Sequence, residues 1–285
     1  MPRLRSLPLL LCLVAAPLPA EPVLDPELDA DTLYQRVLAN RFEASAQEVQ
    51  LVSGDRIGRE QQIRIQMLWR RYPERDDSTL SRTLIRYLEP ADVRGAGYLV
   101  INKQREPDDQ FVYLPSSRRT RRVSLRGETV IGTDLSVEDI VPRELEDATY
   151  QRVQDERVDG VPCYAIDATP APEKDSHYSR LRIYVEPEHY VPLRTRYWDL
   201  AGVEVKEMRA EAETIREIRG IWMPLEATVR HQLEGSYTQL RVLSLTPDPE
   251  IPKPYFTQRQ LETRRLRLPP ELVESTLVFE TRAAR

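Results

Sequence analysis

Residues 107–140 read PDDQFVYLPSSRRTRRVSLRGETVIGTDLSVEDI. Pro107-Asp108-Asp109 is turn chemistry. Gln110, Phe111, Val112, Tyr113 and Leu114 then alternate as a strand, and Pro115-Ser116-Ser117 breaks it. Arg118, Arg119, Arg121 and Arg122 follow, a knot of positive charge. After Gly127 and Gly132 comes an acidic segment, Thr133 to Asp139. If the basic part is extended, Arg119 and Arg121 share one face while Arg118 and Arg122 share the other. Three readings stand side by side. The arginines pair with Asp134, Glu138 or Asp139 as a structural latch, each surface pair contributing about 0–1 kcal/mol. They dock an acidic partner or anionic headgroups, at about 1 kcal/mol per basic residue near a charged membrane. Or they hold an anion.

Outward from this stretch the period is two almost everywhere. Gln62 to Trp69 is the cleanest strand: Ile63, Ile65, Met67 and Trp69 share one face, and Arg64, Gln66 and Arg70 the other. Ser81 to Leu88 repeats the pattern, with Arg82, Leu84, Arg86 and Leu88 against Thr83, Ile85 and Tyr87. Glu48 to Val52 and Tyr98 to Asn102 are shorter strands. Downstream, strand signals recur over 150–157, 163–168, 180–185, 191–198, 204–209, 213–218, 222–231 and 236–245. Asp159-Gly160, Pro187-Glu188, Ala201-Gly202, Arg219-Gly220 and Glu234-Gly235 separate many of these runs, as in an antiparallel meander. Helical patterns are few: Asp29 or Asp31 capping a helix to about Phe42, Ser136 with Asp139 three residues on capping one from Val137 to Leu145, and Thr257 to Arg267. The expectation is a mainly β (α+β) protein. One large antiparallel sheet curves into an incomplete barrel, a few helices cover it, and residues 21–285 form a single domain.

The composition, 31% charged and 40% hydrophobic, is that of a soluble globular chain. The first residues differ. Arg3 and Arg5, the apolar run Leu7 to Ala16 and the small Ala20 before Glu21 read as a signal peptide over 1–20, so the mature protein is expected to be secreted, and together with the family resemblance given below the expected compartment is the periplasm. The net charge is −5, and loss of Arg3 and Arg5 makes it more negative. With its basic charge confined to one knot, the chain does not fit a nucleic-acid binder. Cys12 lies in the apolar run. Cys163 is then the one cysteine of the mature chain and reads as a small core residue.

Catalytic constellations are thin. His177, His189 and His231 sit at no metal-ligand spacing, and there is no HExxH, paired CxxC, GxSxG elbow or phosphate-cradling glycine loop. The expectation is a non-enzyme without catalytic residues, metal or cofactor. The other candidate site is apolar: Ile63, Ile65, Met67, Trp69, Leu84, Tyr98, Val100, Phe111 and Tyr113, either core or the wall of a ligand cavity.

The run from Arg82 to Ser124, with Ile131 to Ile140 after it, resembles the LolA-like outer-membrane lipoprotein-sorting proteins. The pieces are Leu84-Ile85-Arg86-Tyr87-Leu88, Pro90 to Gly95, Asp108-Asp109-Gln110, Tyr113-Leu114-Pro115, the arginine pairs, and Gly132 to Ser136 with Glu138-Asp139. Members commonly carry an aromatic where Val130-Ile131 and Val137 stand here. The resemblance implies an incomplete antiparallel barrel around helices, with an apolar cavity for lipid or lipoprotein acyl chains. It implies binding or carriage rather than catalysis, sometimes beside an RND-type inner-membrane exporter as partner. The alternative is an accessory subunit of such a transporter, with a filled core and no ligand.

Overall fold

In a computed structural model that describes residues 23–72, 78–124, 129–263 and 275–279, the alternating runs form strands. The expected signal peptide lies outside the described residues. In the first half these are β1 (Ala44–Gly54), β2 (Glu60–Arg71), β3 (Thr79–Glu89), β4 (Gly97–Lys103), β5 (Asp109–Leu114) and β6 (Arg119–Arg122). The second half holds β7 (Ala148–Val158), β8 (Val161–Pro170), β9 (Tyr178–Val185), β10 (Pro192–Asp199) and β11 (Glu204–Ala210). After them come β12 (Ile215–Ile218), β13 (Ile221–Pro224), β14 (Glu226–His231) and β15 (Tyr237–Pro247), with β16 (Leu277–Val278) paired on β15.

All but β12 and β13 join one 14-stranded antiparallel sheet, in the order β6-β5-β4-β3-β2-β1-β15-β14-β11-β10-β9-β8-β7. The sheet is not closed: β6 is one edge and β7 the other. Sequence-adjacent strands pair by short turns, as expected of a meander. One expected run is cut differently. The 222–231 run divides at Leu225, and its first part pairs with β12 as a separate hairpin.

Each face of the sheet has its own cover. On the face called inner here, helix α1 (Ala30–Ala39) packs on the β7–β10 half. Asp29 caps it, its carboxylate accepting from Thr32 N at 2.9 Å. Leu33 and Tyr34 pack on Tyr164, Ile166, Leu181 and Ile183, and Tyr34 stacks on Tyr150 with centroids 4.1 Å apart. On the outer face, Ile251, Phe256 and Leu261 lie over Leu68, Leu84 and Leu99. Helix α3 (Gln258–Leu261) is shorter than the sequence suggested, and part of that expected helix lies outside the described residues.

One long connection remains, between the edge strands β6 and β7. Its described part, residues 129–147, crosses the inner face, and it contains helix α2 (Val137–Ile140). The helix is one turn, where the sequence pattern suggested it would run to Leu145.

Candidate functional site

The inner wall is the apolar half of the period-two pattern. Ile63, Ile65, Tyr98 and Val100 are buried and Met67 is half-buried, in one cluster with Val49, Leu51, Ile85 and Tyr87. Trp69 continues that face of β2 and lies under the Arg41 guanidinium, 5.0 Å from its ring centroid. Leu84, Phe111 and Tyr113 do not belong to this wall. Leu84 pairs with Leu68 and Leu99, and Leu99 with Phe111, so all stand on the outer face with Ile251 and Leu261. A shift of one position sends a strand side chain to the opposite face. The nine residues expected to line one site therefore divide between two.

The wall is not open. Val130, Leu135 and Val137 of the crossover lie against it and are fully or almost fully buried. A space of about 70 Å³ remains beside Val100, Val137 and Val141, far below the ~300–1,000 Å³ of ligand pockets. The crossover is irregular where it covers the wall. Gly132, at φ +74°, turns the chain where a side chain would strike Gln61. The Val130 N–H donates to Leu135 O at 2.8 Å, and Ile131 N–H donates to the Tyr87 hydroxyl at 2.9 Å.

The rest of its attachment is polar and made to the second half of the sheet. Asp139 accepts from Ser136 N at 2.7 Å, the expected capping contact, and from the Tyr178 hydroxyl at 2.8 Å. Its other partner is Lys206 Nζ at 2.5 Å. Glu138 accepts from Ser176 Oγ at 2.6 Å, with Arg143 Nη2 at 3.3 Å and His177 Nδ1 at 3.0 Å. Burial alone raises the Glu138 pKa, but His177, Arg143 and Ser176 outweigh it and hold the carboxyl near 2. Asp134 accepts from Ser236 Oγ at 2.5 Å and Thr238 Oγ1 at 3.0 Å.

The acidic segment is thus a latch, but its cations are not the arginines of 118–122. Those arginines lie on the edge strand β6 and the turn before it. Arg122 pairs with Asp109. Among the described residues Arg118, Arg119 and Arg121 have no carboxylate partner. Register places Arg121 opposite Val112 and Arg119 opposite Leu114, on the inner side of the sheet edge. Among the described residues the two charge clusters share no ion pair.

The sequence reading missed three contributors: Lys206, His177 and Lys174. Lys174 Nζ reaches Asn102 Oδ1 at 2.8 Å, Asp108 Oδ1 at 2.9 Å and Asp147 Oδ1 at 2.8 Å, tying the β4–β5 turn to the crossover. A lysine on an apolar strand face, as Lys206 is two positions before Met208 and opposite Tyr197, is the signal that points to such a buried pair. Cys163 is buried and free, as expected of a core residue, and burial pushes its thiol up to about 11. No group of three or more His, Cys, Asp or Glu among the described residues could hold a metal ion. No helix among them is long and apolar enough to cross a membrane.

The open antiparallel sheet, its apolar inner face crossed by a helix and an irregular segment, is a fold shared with solved structures that include a LolA superfamily protein. The chain belongs to a family of uncharacterised proteins whose model matches residues 79–263. Three solved structures share the fold. One is described as an outer membrane lipoprotein-sorting protein domain from Vibrio parahaemolyticus, with TM-score 0.74 and 18% identity, covering 82% of this chain and 98% of that one. A DUF1329 family protein from Desulfovibrio piger has TM-score 0.73 and 26% identity over 81% of this chain and 98% of that one. A LolA superfamily protein from Nitrosomonas europaea has TM-score 0.66 and 20% identity over 82% and 99%. No curated protein matches the chain in sequence.

Proposed function

We propose that the protein is a periplasmic carrier for the acyl chains of lipids or lipoproteins. The inner wall is the acyl site and the 129–141 crossover is its removable cover. The observation that carries this reading is the way the wall is closed. A strand or long helix does not seal it; an irregular segment does, through three aliphatic side chains and a polar latch.

The magnitudes suit exchange. Burying Val130, Leu135 and Val137 stabilises the cover by about 1.5–3 kcal/mol each, and each buried methylene of an acyl chain contributes about 0.8 kcal/mol. A chain of roughly ten methylenes therefore offsets what the cover loses, which makes binding competitive yet releasable. Arg119 and Arg121 at the sheet edge would meet a phosphate headgroup. The Arg3–Ala20 pattern supports export, and the likeness to a lipoprotein-sorting domain supports carriage.

The small remaining space favours one other reading: a non-catalytic accessory subunit of an RND-type transporter, without a ligand. Native mass spectrometry of the protein purified from its own periplasm separates the two. Co-purified lipid supports the carrier. Absence of lipid, together with no binding of a dansyl-labelled fatty acid, overturns it and leaves the accessory reading.

A further inference from the structure

The outer face holds a polypeptide segment of the chain itself, and it shows how that face binds one. Ile251, Phe256 and Leu261 fill apolar positions over Leu68, Leu84 and Leu99. Arginines hold the segment's carbonyl oxygens. Arg70 Nη1 donates to Ile251 O at 2.6 Å. Arg86 Nη2 donates to Gln260 O at 2.8 Å and to Leu261 O at 2.9 Å, and its Nη1 donates to Thr263 O.

Beside the end of that segment, at Glu262, an open groove of about 1140 Å³ continues on the same face. Glu48, Arg64 and Gln66 line its floor. One wall is the turn after β3, with Leu88, Ala91 and Arg94; another is Tyr113, Pro115 and Arg118. The two walls meet at one end, where Gly95, at φ +84°, brings its turn against Pro115: a Cβ there would lie 3.8 Å from Pro115 Cγ. Leu88, Ala91, Arg94 and Gly95 from the end of β3 and its turn meet Tyr113, Pro115 and Arg118 around this groove.

Its charges are unevenly matched. Arg64 is paired with Glu89 at 2.7 Å, and the Glu262 carboxylate accepts from Thr120 Oγ1 at 2.8 Å. Arg94 gives Nε–H to Leu88 O at 2.9 Å and, among the described residues, has no carboxylate partner. Arg118 has none either. Both flank the end where the walls meet. Arg86, 1% exposed, lies beneath with only carbonyl partners.

We propose that this groove docks an extended acidic segment of a partner protein. Its carboxylates would meet Arg94 and Arg118, and its apolar side chains would rest on Leu88, Tyr113 and Pro115. Charge-assisted contacts to arginine are the stronger class of hydrogen bond, and the fork geometry suits a carboxylate. A membrane surface fits less well. It would read the exposed Arg119 and Arg121 at the sheet edge, whereas Arg94 and Arg118 border a recess that a segment in the extended conformation can enter. The groove lies on the face opposite the acyl wall, so its role is independent of lipid carriage.

Fluorescence anisotropy tests this on the full mature chain. The probe is a fluorescein-labelled octapeptide alternating leucine and glutamate, with a leucine–lysine counterpart as control. Saturable binding of the glutamate peptide alone is expected. Arg94→Glu with Arg118→Glu should weaken it at least tenfold, while Arg119→Glu with Arg121→Glu should leave it unchanged. Arg118→Glu alone serves if the double variant fails to fold, because the Arg118 side chain makes no bond among the described residues. No saturable binding, or equal weakening by both pairs of substitutions, overturns the proposal. So does an effect of Arg94→Glu and Arg118→Glu on binding to phosphatidylglycerol vesicles but not to the peptide.

Discussion

The Asp139 carboxylate lies 2.5 Å from the Lys206 ammonium, with side chains 1% and 6% exposed. This pair joins the crossover to β11 beneath Tyr178 and Tyr197, whose ring centroids lie 5.1 and 5.4 Å from Lys206 Nζ. Removing one member of a buried pair leaves a charge without compensation, which costs about 3–5 kcal/mol. Lys206→Met is expected to destabilise the protein by that amount in urea unfolding. Lys206→Met with Asp139→Asn should recover much of it, giving a large coupling energy in a double-mutant cycle. Cycles between Asp139 and Arg119 or Arg121 should show none. Coupling to the arginines would restore the latch that the sequence suggested and contradict the one described.

Glu138 sets a pH dependence. Its carboxyl is held near 2, against an ordinary 4.5. A carboxyl with a depressed folded pKa stabilises the fold above its unfolded pKa, and that contribution is lost as pH falls through the folded value. The window is therefore from about pH 4.5 down to about pH 2. At about 1.4 kcal/mol per unit, the loss across it is about 3 kcal/mol. Thermal unfolding of Glu138→Gln should be less stable than wild type at pH 7. The difference should shrink across that window, and a constant difference would show that the carboxylate is not held by His177 and Arg143.

Arg86 holds the outer segment by its carbonyl oxygens. Arg86→Met keeps much of the stem and removes all three bonds to Gln260, Leu261 and Thr263. Hydrogen bonds to a charged group are worth about 1.5–3 kcal/mol net, and here water can replace part of them. A loss of about 2–3 kcal/mol is expected, with limited proteolysis appearing first near residues 251–263. Cleavage elsewhere first would mean that the segment is held by Phe256 and Leu261 alone.

Cys163 is buried with its thiol pushed up to about 11. It should resist a maleimide or disulfide reagent at pH 8 in the folded protein and react stoichiometrically in denaturant. Rapid labelling of the native state would show that the β8–β9 core opens readily.

Much of the fold was legible because a sheet writes itself in period two. Ile63, Ile65 and Met67 share a face in the sequence and share it in the structure, and turn residues such as Asp159-Gly160 stand at the turns. The parity of separate strands was not legible. Which face Leu84, Phe111 and Tyr113 reach depends on the register of β3, β4 and β5, set by pairings such as Leu84 with Leu99. The latch was half legible. Ser136 and Asp139 show a cap locally, and the acidic segment looked attached to something. Its partner Lys206 lies 67 residues away in sequence, where no local pattern links them. The nearby arginines were the obvious cations, but among the described residues they share no ion pair with the acids.

The central claim is that acyl chains replace the crossover on the inner wall. Hydrogen exchange measured by mass spectrometry, on the mature protein with and without a saturating long-chain fatty acid, tests it most directly. The account predicts faster exchange over residues 129–141 on binding, where the Val130 amide is held by Leu135 O, while the central strands β1 to β3 and β15 keep their protection. Saturable binding with unchanged or stronger protection of 129–141 would contradict it, as would no binding at all.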